Sequence, residues 1–362
     1  MATPVLVIAL TVLASAACGF LSIPMILRFC ERRGLYDLPG NRKIHRNATP
    51  RLGGLSFFPS MLVSLLVALS YVNAEGDVII VSRWSVYFML AVSLIFFMGI
   101  IDDVFGLLPR WKFAVQVVAA CALPMSGLYV DNLHGLFGIH EIPFAASVPL
   151  TIVLMVFICN SINLVDGIDG LAASLSLVAL AGFLLYFASC GHLAYSLLMA
   201  GFIGVLLSFL FFNLFGDERR HTKIFMGDSG SLVLGFVLAF LCVKCSMRTS
   251  PTMHVDARSF VMAYTLVLLP MMDAARVFVV RLYHGVSPFK ADKNHIHHKL
   301  MRMGFTQRQT LLAILFLSLG YIALNYFLLP VCGITALLLL DLGSYALLNV
   351  AVNRRVGQGE KS

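Results

Sequence analysis

The sequence predicts an all-α integral membrane protein, a polytopic bundle of about eleven transmembrane helices with the N-terminus outside and the C-terminus in the cytoplasm. Of its 362 residues, 59% are hydrophobic and only 12% are charged, against roughly 25% charged residues in soluble domains. Apolar runs of about 20 residues, the length that crosses a bilayer core, recur along the whole chain. This composition excludes a soluble protein and indicates no nucleic-acid partner.

Eleven apolar runs are predicted as spans because they are long and carry almost no charge. They are Thr3–Leu27, Gly54–Tyr71, Ser85–Ile101, Phe113–Tyr129, Ser147–Val165, Leu171–Cys190, Leu193–Phe215, Gly230–Val243, Ser259–Met272, Thr310–Pro330 and Gly333–Val352. The two shortest, Gly230–Val243 and Ser259–Met272, hold 14 residues each, so their helices are expected to continue into polar flanks.

The first run could also be a signal peptide, but Met-Ala-Thr-Pro lacks the basic start of such a peptide. A retained span is therefore favoured. The eight cysteines lie in or beside apolar runs and are interpreted as reduced packing residues. The CxxC of Cys242 and Cys245 is by itself weak support for a metal or redox site.

Positive charges set the predicted orientation, because short cytoplasmic loops keep an excess of Lys and Arg. If the spans alternate, 22 of the 26 Lys and Arg residues fall in one set of loops and the C-terminal tail. The other four are Arg83, Lys244, Arg248 and Arg258. This bias predicts an outside N-terminus and a cytoplasmic C-terminus.

Five short polar segments interrupt the apolar chain, and the same alternation places all of them on the cytoplasmic face. They are Asp102-Asp103, Asn160 to Asp169, Phe225 to Ser229, Asp273, and His295 to His298. Membrane-proximal ionisable groups are expensive unless they are partnered or functional. Their shared location predicts one active site.

Asp102 and Asp103 follow an uncharged stretch at the predicted end of a helix. Two carboxylates at a helix C-terminus are unfavourable, because the helix dipole there is already negative. A cation or a proton would relieve them. The residues alone leave a solvated helix end and a functional site equally open.

An amide or carboxylate recurs at every third position through Asn160, Asn163, Asp166 and Asp169. Residues three apart share a helix face, so the two asparagines should point together. The Asp-Gly pairs that follow predict a turn with little steric bulk, which lets the backbone approach a ligand. A plain turn between two helices is the alternative.

The segment Phe225-Met-Gly-Asp228-Ser229 joins a basic loop to the eighth predicted span. Ser229 and Ser231 could cap that helix, and its N-terminal amides would favour an anion such as a diphosphate. Asp228 at the same place is suited to an oxygen-preferring ion such as Mg²⁺. A capping aspartate and a membrane-anchoring Phe225 are the plain alternatives.

Asp273 and the histidines His295, His297 and His298 occupy the longest predicted cytoplasmic loop. Asp273 could simply pair with Arg276 one helical turn on. The histidines raise a zinc hypothesis. However, no Cys or Glu lies at ligand spacing, and three neighbouring lysines would repel a cation. Recognition of an anion is favoured.

These motifs together resemble the polyprenyl-phosphate N-acetylhexosamine-1-phosphate transferases of glycosyltransferase family 4. The shared features are the Asp pair, NxxNxxDGxDGL from Asn160 to Leu171, FMGDxGS from Phe225 to Ser231, and HIHH from His295 to His298. The resemblance covers nearly the whole chain and is strongest to the WecA/TagO-like branch of UDP-GlcNAc:undecaprenyl-phosphate GlcNAc-1-phosphate transferases. Gly53-Gly54 after Thr49-Pro50 also fits. Gly106 stands where some relatives have a third acid, so no role is expected there.

The resemblance implies that the phosphate of undecaprenyl phosphate attacks the β-phosphate of a UDP-N-acetylhexosamine, releasing UMP and leaving a lipid-linked diphosphate sugar. Two anions must meet, so a divalent cation is expected to offset their repulsion, Mg²⁺ first and Mn²⁺ as an alternative. By this resemblance, Asn163 and Asp228 would hold the metal, and the catalytic residues Asp166 and Asp169 would support the metal and the diphosphate. Asp102 would be the base for the lipid phosphate, and Asp103 its electrostatic or positioning partner.

Substrate-binding roles follow from the same resemblance. Phe225 would face the uracil. The other candidates for the phosphates or the sugar are Arg46, Asn160, His295, His297 and His298.

The resemblance further implies one transferase domain over residues 1–362, with a catalytic core at about 34–305 and C-terminal spans at 310–352. The expected location is the bacterial inner membrane, and the product would start a cell-surface polysaccharide such as O-antigen. A homodimer stays open.

Two other functions are alternatives to this transferase. A phospho-MurNAc-pentapeptide transferase shares the chemistry, but HIHH and Gly106 argue against it. An ion-coupled transporter would place its polar groups near the bilayer midplane, whereas these motifs lie at span ends. Asp341, in the middle of the last span, fits neither account, and a hydrogen bond to a Ser or Thr of another helix is the favoured explanation.

Overall fold

A computed structural model describes residues 4–37, 49–74, 82–217, 220–247, 256–287 and 294–359. Helices dominate the described chain. They are α1 (Pro4–Arg33), α2 (Phe57–Ala74), α3 (Arg83–Phe105), α4 (Pro109–Ser126), α5 (Phe144–Val165), α6 (Leu171–Ser189), α7 (Leu193–Phe215), α8 (Asp228–Lys244), α9 (Ala257–Tyr283), α10 (Ile296–Arg302), α11 (Gln307–Leu328) and α12 (Ile334–Gly359). Arg46, a predicted substrate-binding residue, lies outside the described residues.

Each of the eleven predicted spans coincides with a helix. Within the described ranges, nine helices are long and apolar enough to cross a membrane. The two remaining predicted spans correspond to α4, which begins with Arg110 and Lys112 in its first turn, and to α8, which has 17 residues. The protein is therefore an all-α, multi-pass membrane protein. The count of eleven and the orientation stay predictions.

Local sequence explains several helix boundaries. The Ser82 side chain accepts a hydrogen bond from the Ser85 amide at the start of α3, and Asp256 does the same for Ser259 at the start of α9. Such side chains satisfy helix amides that have no partner within the helix. Pro109 opens α4, and Gly127 closes it in the left-handed conformation, which costs glycine least.

The chain forms two compact units and passes between them at three places: after Gly127, inside α6 and inside α8. The first unit comprises Met1–Gly127 and Ser176–Leu238. In it, α1 and α2 pack on α7, and α3 packs on α4. Gly204 of α7 lies so close to α1 that a Cβ there would be 2.2 Å from the Val12 carbonyl oxygen. Two short strands, β1 (Tyr36–Asp37) and β2 (Thr49–Pro50), pair antiparallel in this unit.

The second unit comprises Leu128–Leu175 and Ala239–Ser362. Its α9 packs against α5 and α11, while α10 contacts α11 and α12. An antiparallel hairpin of β3 (Asn132–Leu136) and β4 (Ile139–Glu141) also belongs to this unit. The hairpin was not predicted, because its residues lie between two apolar runs and were treated as a loop.

The two shortest predicted spans were expected to extend, and both do. The run Gly230–Val243 becomes α8, which begins two residues earlier at Asp228. The run Ser259–Met272 becomes α9, which has 27 residues and continues to Tyr283. Asp273 therefore lies inside a helix, and its predicted position in a loop is wrong. The error arose because the first charged residue was taken as the end of the helix.

Candidate active site

Several of the predicted site residues belong to two polar clusters, one in each unit. In the first unit the α3–α8 cluster consists of Asp102, Asp103, Lys112, Asp228 and Ser229. In the second unit the histidine cluster consists of Asp273, Arg276, His295, His297 and Tyr345. Each cluster is held by its own contacts.

Lys112 joins two carboxylates in the α3–α8 cluster. Its Nζ lies 2.7 Å from Asp102 Oδ2 and 2.5 Å from Asp228 Oδ2. Burial works to lower the pKa of Lys112, but the Asp228 and Asp102 carboxylates outweigh it and hold the pKa above its ordinary value. The positive charge expected beside the Asp pair is therefore present as a lysine. Sequence analysis used Lys112 only to assign topology and missed this contact.

Asp103 has a different environment from Asp102. Its Oδ1 accepts the Asp228 amide at 2.8 Å, and its Oδ2 accepts the Ser229 amide at 2.9 Å. A carboxylate at a helix N-terminus is favoured by the helix dipole and by the free amides there. Asp103 thus caps α8 from another helix.

This contact corrects two interpretations of the start of α8. The anion at its first two amides is the Asp103 carboxylate, so the assignment of those amides to a substrate diphosphate is wrong. Both serines lie inside α8, which begins at Asp228, so neither occupies the expected N-cap position. Ser231 Oγ bonds the Gly227 carbonyl oxygen, and Ser229 Oγ is buried without a hydrogen-bond partner among the described residues.

Close backbone packing holds the start of α8 in place. A Cβ on Gly54 would lie 2.0 Å from the Gly230 amide nitrogen, and one on Gly99 would lie 2.5 Å from the Ser229 Cα. Gly227 adopts a φ of 75°, a conformation that favours glycine. Gly54, Gly99 and Gly227 therefore have to be glycine, because a side chain at any of them would collide or be strained.

A backbone ladder fixes Phe225 beside this cluster. The Phe225 amide bonds the Pro50 carbonyl at 2.7 Å, and the Gly53 amide bonds the Phe225 carbonyl at 2.9 Å. The Phe225 ring is half-buried, and Lys223 Nζ lies 5.9 Å from its centre. The ring is therefore held by the backbone and remains partly open to a ligand.

The predicted turn after α5 is confirmed. Asn160 and Asn163 lie in the last turns of α5, Asp166 follows the helix, and α6 begins at Leu171. Asn160, Asn163, Asp166 and Asp169 are all half-buried, and the shared side of the two asparagines stays a prediction. Asn160 also bonds the Val156 carbonyl at 2.8 Å.

His297 of α10 lies against this turn. A Cβ on Gly167 would lie 2.3 Å from His297 Nε2, so the glycine makes room for the ring. Burial lowers the pKa of His297 to about 3, and the nearby His298 and His295 add to this effect. Both ring nitrogens are buried without a hydrogen-bond partner among the described residues. His297 is therefore a neutral imidazole.

Asp273 lies at the centre of the histidine cluster and is 1% exposed. Its Oδ1 is 2.7 Å from Arg276 Nη2, so the expected pairing one turn on is confirmed. Its Oδ2 is 2.7 Å from His295 Nδ1. Sequence analysis proposed no partner for His295, because Asp273 is 22 residues away in sequence.

Asp341 makes the kind of contact between helices that was expected, although not with Ser or Thr. Asn325 Nδ2 of α11 donates to Asp341 Oδ2 at 2.9 Å and to Thr265 Oγ1 of α9 at 2.9 Å. This network links three helices and includes no predicted site residue.

The donor atoms of the α3–α8 cluster suit a hard divalent cation. Asp102 and Asp228 converge on one positively charged group, and Mg²⁺ is typically held by one or two carboxylates with waters and substrate phosphates. No group of three His, Cys, Asp or Glu side chains suited to a metal occurs in the described ranges. A closed zinc-type site, which needs three or four protein ligands, is therefore absent from the described chain.

Fold and clusters define a class: a helical membrane protein whose acidic and histidine motifs lie at helix ends or inside helix α9. Comparison with known proteins identifies the family. The sequence profile of glycosyl transferase family 4 matches residues 85–246. A probable undecaprenyl-phosphate N-acetylglucosaminyl 1-phosphate transferase of Bacillus subtilis is 32% identical over 292 residues, covering 80% of this chain and 76% of the relative.

Two further relatives have names of the same kind. The undecaprenyl-phosphate alpha-N-acetylglucosaminyl 1-phosphate transferase of Escherichia coli K12 is 31% identical, covering 82% of this chain and 78% of its own. The decaprenyl-phosphate N-acetylglucosaminephosphotransferase of Mycobacterium tuberculosis is 30% identical, covering 88% of this chain and 82% of its own. The chain belongs to glycosyl transferase family 4, in agreement with the motifs of the sequence.

Proposed function

We propose that this protein transfers N-acetylglucosamine-1-phosphate from UDP-N-acetylglucosamine to undecaprenyl phosphate, releasing UMP. The single observation that carries this proposal is the similarity over four fifths of the chain to transferases whose names state this acceptor and this group. The site supports it, because both clusters are built from groups suited to phosphate, sugar or a divalent ion. The relatives do not favour a pentapeptide substrate or a transporter.

In this reaction an oxygen of the lipid phosphate forms a bond to the β-phosphorus of the donor. The bond from that phosphorus to the bridging oxygen breaks, and UMP leaves with the electron pair. A phosphomonoester with a second pKa near 6 is mostly ionised at neutral pH, so the acceptor needs little deprotonation. Asp102, held by Lys112 and by the Leu107 amide at 2.6 Å, is the proposed base where a proton remains.

We further propose that the reaction depends on Mg²⁺, with Asp228 as a ligand and Asp102 beside it. A bound divalent ion would neutralise the approaching phosphates and stabilise the charge of the transition state. The residues fit this ion, since two carboxylates already converge on a cation. The assignment of Asn163, Asp166 and Asp169 in the second unit to the same metal chemistry stays a prediction.

The other predicted site residues are proposed to bind the substrates. Phe225, partly open and fixed by backbone bonds, would stack on the uracil. Asn160, Arg46 and the histidines would contact the phosphates or the sugar. The enzyme would act in the bacterial inner membrane and start the synthesis of a cell-surface polysaccharide.

The metal assignment is tested with Asp228→Ala in membranes supplied with radiolabelled UDP-N-acetylglucosamine. The variant should lose Mg²⁺-dependent formation of the labelled lipid, because it removes a ligand while Asp103 still caps α8. Asp217→Ala is the matched control, since the Asp217 side chain is exposed and lies 3.7 Å from Arg220, outside both clusters. Normal turnover by Asp228→Ala would disprove the assignment.

A panel of UDP-sugars with mass analysis of the lipid product tests the donor. The N-acetylglucosamine donor should give the product, and UDP-MurNAc-pentapeptide should not. A pentapeptide product would reverse the choice between the two transferases.

A further inference from the structure

Asp273 of α9 is a buried carboxylate surrounded by hydrogen-bond donors from three helices. Arg276 of the same helix and Tyr345 of α12 both donate to Oδ1, at 2.7 and 2.9 Å. The Ile296 amide at the start of α10 lies 3.2 Å from Oδ1 and 3.3 Å from Oδ2. His295 Nδ1 lies 2.7 Å from Oδ2. Arg276 and Tyr345 therefore lie at Oδ1 and His295 at Oδ2, while the Ile296 amide is shared between the two oxygens.

These contacts determine which nitrogen of His295 carries the proton. Arg276 is always charged and can only donate, and the Ile296 amide also only donates. A carboxylate that receives these donors is an acceptor, so the short contact to His295 requires a proton on Nδ1. In the neutral ring the lone pair is then on Nε2. Within the described part of the chain, Nε2 has no hydrogen-bond partner.

The neighbouring His297 is a histidine whose ring nitrogens lack such a hydrogen-bond partner. Its two nitrogens have no partner among the described residues, so nothing described selects one tautomer. His295 and His297 stack with ring centres 5.8 Å apart and planes 10° apart. Asp273 thus sets the tautomer of one of two nearly parallel rings.

We propose that Asp273, held by Arg276 and Tyr345, is a positioning residue that keeps His295 in its Nδ1–H form, so that Nε2 accepts a hydrogen bond from a hydroxyl or acetamido N–H of the donor sugar. The sugar contact rests on the proposed function; the tautomer does not. The proposal also gives α12 a role in the site. Tyr345 lies in the C-terminal spans, beyond the predicted catalytic core of 34–305.

Asp273→Asn tests the tautomer while keeping the size of the side chain. Arg276 and Tyr345 donate to the Oδ1 position, so the amide oxygen belongs there and the NH₂ group faces His295. That NH₂ donates to Nδ1, which moves the ring proton to Nε2. Nitrogen NMR of histidine-labelled protein in nanodiscs measures the tautomer, with His295→Gln to assign the signal. We expect Nδ1–H in the wild type and Nε2–H in Asp273→Asn.

Steady-state kinetics distinguish a positioning role of Asp273 from a general loss of structure in the variant. Loss of a hydrogen bond that involves a charged group lowers a binding or rate constant by about 10- to 100-fold. Asp273→Asn should therefore lower kcat/KM for UDP-N-acetylglucosamine by about that factor and leave the KM for undecaprenyl phosphate unchanged. Equal losses for both substrates would indicate general damage and overturn the proposal.

Tyr345→Phe keeps the proposal testable if Asp273→Asn does not fold. It removes one donor to Asp273 and should lower kcat/KM for the donor by about 3- to 10-fold, the range for a neutral hydrogen bond. Tyr321→Phe is the matched control, because its hydroxyl lies 3.1 Å from Ser344 Oγ between α11 and α12 and does not contact Asp273. It should leave kcat/KM unchanged, and an equal loss in both variants would overturn the proposal.

Different results would disprove the positioning role of Asp273 and the proposed transferase function. Nε2–H in wild-type His295, or no change in Asp273→Asn, would overturn the positioning role even if the enzyme makes its product. A changed tautomer with unchanged kcat/KM would overturn the sugar contact. If the wild type forms no lipid-linked sugar at all, the proposed function fails, while the NMR arm still decides whether Asp273 sets the tautomer.

Discussion

At the scale of single residues, one ammonium group bridges two carboxylates. Lys112 lies 116 residues from Asp228 in sequence but 2.5 Å from its carboxylate. Membrane-proximal carboxylates are costly without a partner. The contact explains how Asp102 and Asp228 can lie together at helix ends, and it makes Lys112 the residue whose removal should disturb them most.

Lys112→Met should destabilise the protein by about 1 to 3 kcal/mol, because it leaves two carboxylates facing each other. The loss is smaller than at a fully buried pair, since Lys112 and Asp228 each keep 25% of their side-chain surface exposed. Thermal unfolding in detergent measures it. Arg110→Met is the control in the same helix turn, because Arg110 is exposed. Equal melting temperatures for both variants would contradict the account.

His297 should make stability depend on pH. Its pKa is about 3 when folded and about 6.5 when unfolded. Between these values the unfolded chain binds more protons, so stability falls as pH falls through this window. At pH 5 the loss is about 2 kcal/mol relative to pH 7.5.

Melting temperatures of the wild type and of His297→Gln across pH 7.5 to 4.5 test this. The variant lacks the titrating ring, so its curve should fall less steeply on the acid side. Parallel curves for the two proteins would show that His297 does not contribute.

At the scale of helices, glycines let α3 and the start of α8 touch. A Cβ on Gly99 would lie 2.5 Å from the Ser229 Cα, and backbone cannot move aside as a flexible side chain can. Gly99→Ala should therefore cost about 1 to 3 kcal/mol through overpacking, and it should also lower activity by shifting Asp228.

Gly320→Ala in α11 is the control for this prediction. No atom lies within 4 Å of a Cβ at Gly320, and alanine is the better helix former. The control should be neutral or slightly stabilising in the same unfolding assay. A loss in Gly320→Ala as large as that in Gly99→Ala would show that the close approach is not the cause.

Helices were predictable where a long apolar run decides them, as in α5 and α7. Their ends were less predictable, because capping and tertiary contacts set them. Asp273 did not end α9, since Arg276, Tyr345 and His295 provide the contacts that a buried carboxylate needs. Sequence spacing shows contacts one helical turn apart and cannot show these longer ones.

The same physical limit applies to the candidate site. The motifs identified Asp102, Asp103 and Asp228 from residue type and position. Their contacts differ: Asp103 accepts hydrogen bonds from the α8 amides, and Lys112 lies between Asp102 and Asp228. These contacts depend on how the helices pack. Local pattern therefore found the three carboxylates of the cluster but not Lys112, and only the fold assigned their contacts.

At the scale of the whole molecule, orientation is the prediction most open to direct test. The hairpin of β3 and β4 should face outward, and the turn before α11 should face the cytoplasm. Single cysteines at His140 and Phe305, in a variant whose eight native cysteines are alanine, report both sides.

An impermeant maleimide should label His140→Cys on intact cells, and Phe305→Cys only after the membrane is opened. Both positions are exposed, so burial does not prevent labelling. The opposite pattern would invert the predicted topology and place the histidine cluster on the wrong side for a cytoplasmic donor.

The identity of the released nucleotide tests the central claim most directly. Purified protein is incubated with undecaprenyl phosphate and UDP-N-acetylglucosamine, with Mg²⁺ or with EDTA, and both products are measured. Transfer of the sugar phosphate predicts UMP and lipid-linked diphosphate sugar in equal amounts, formed only with the metal. Release of UDP with a lipid monophosphate sugar, or no lipid product at all, would contradict the account.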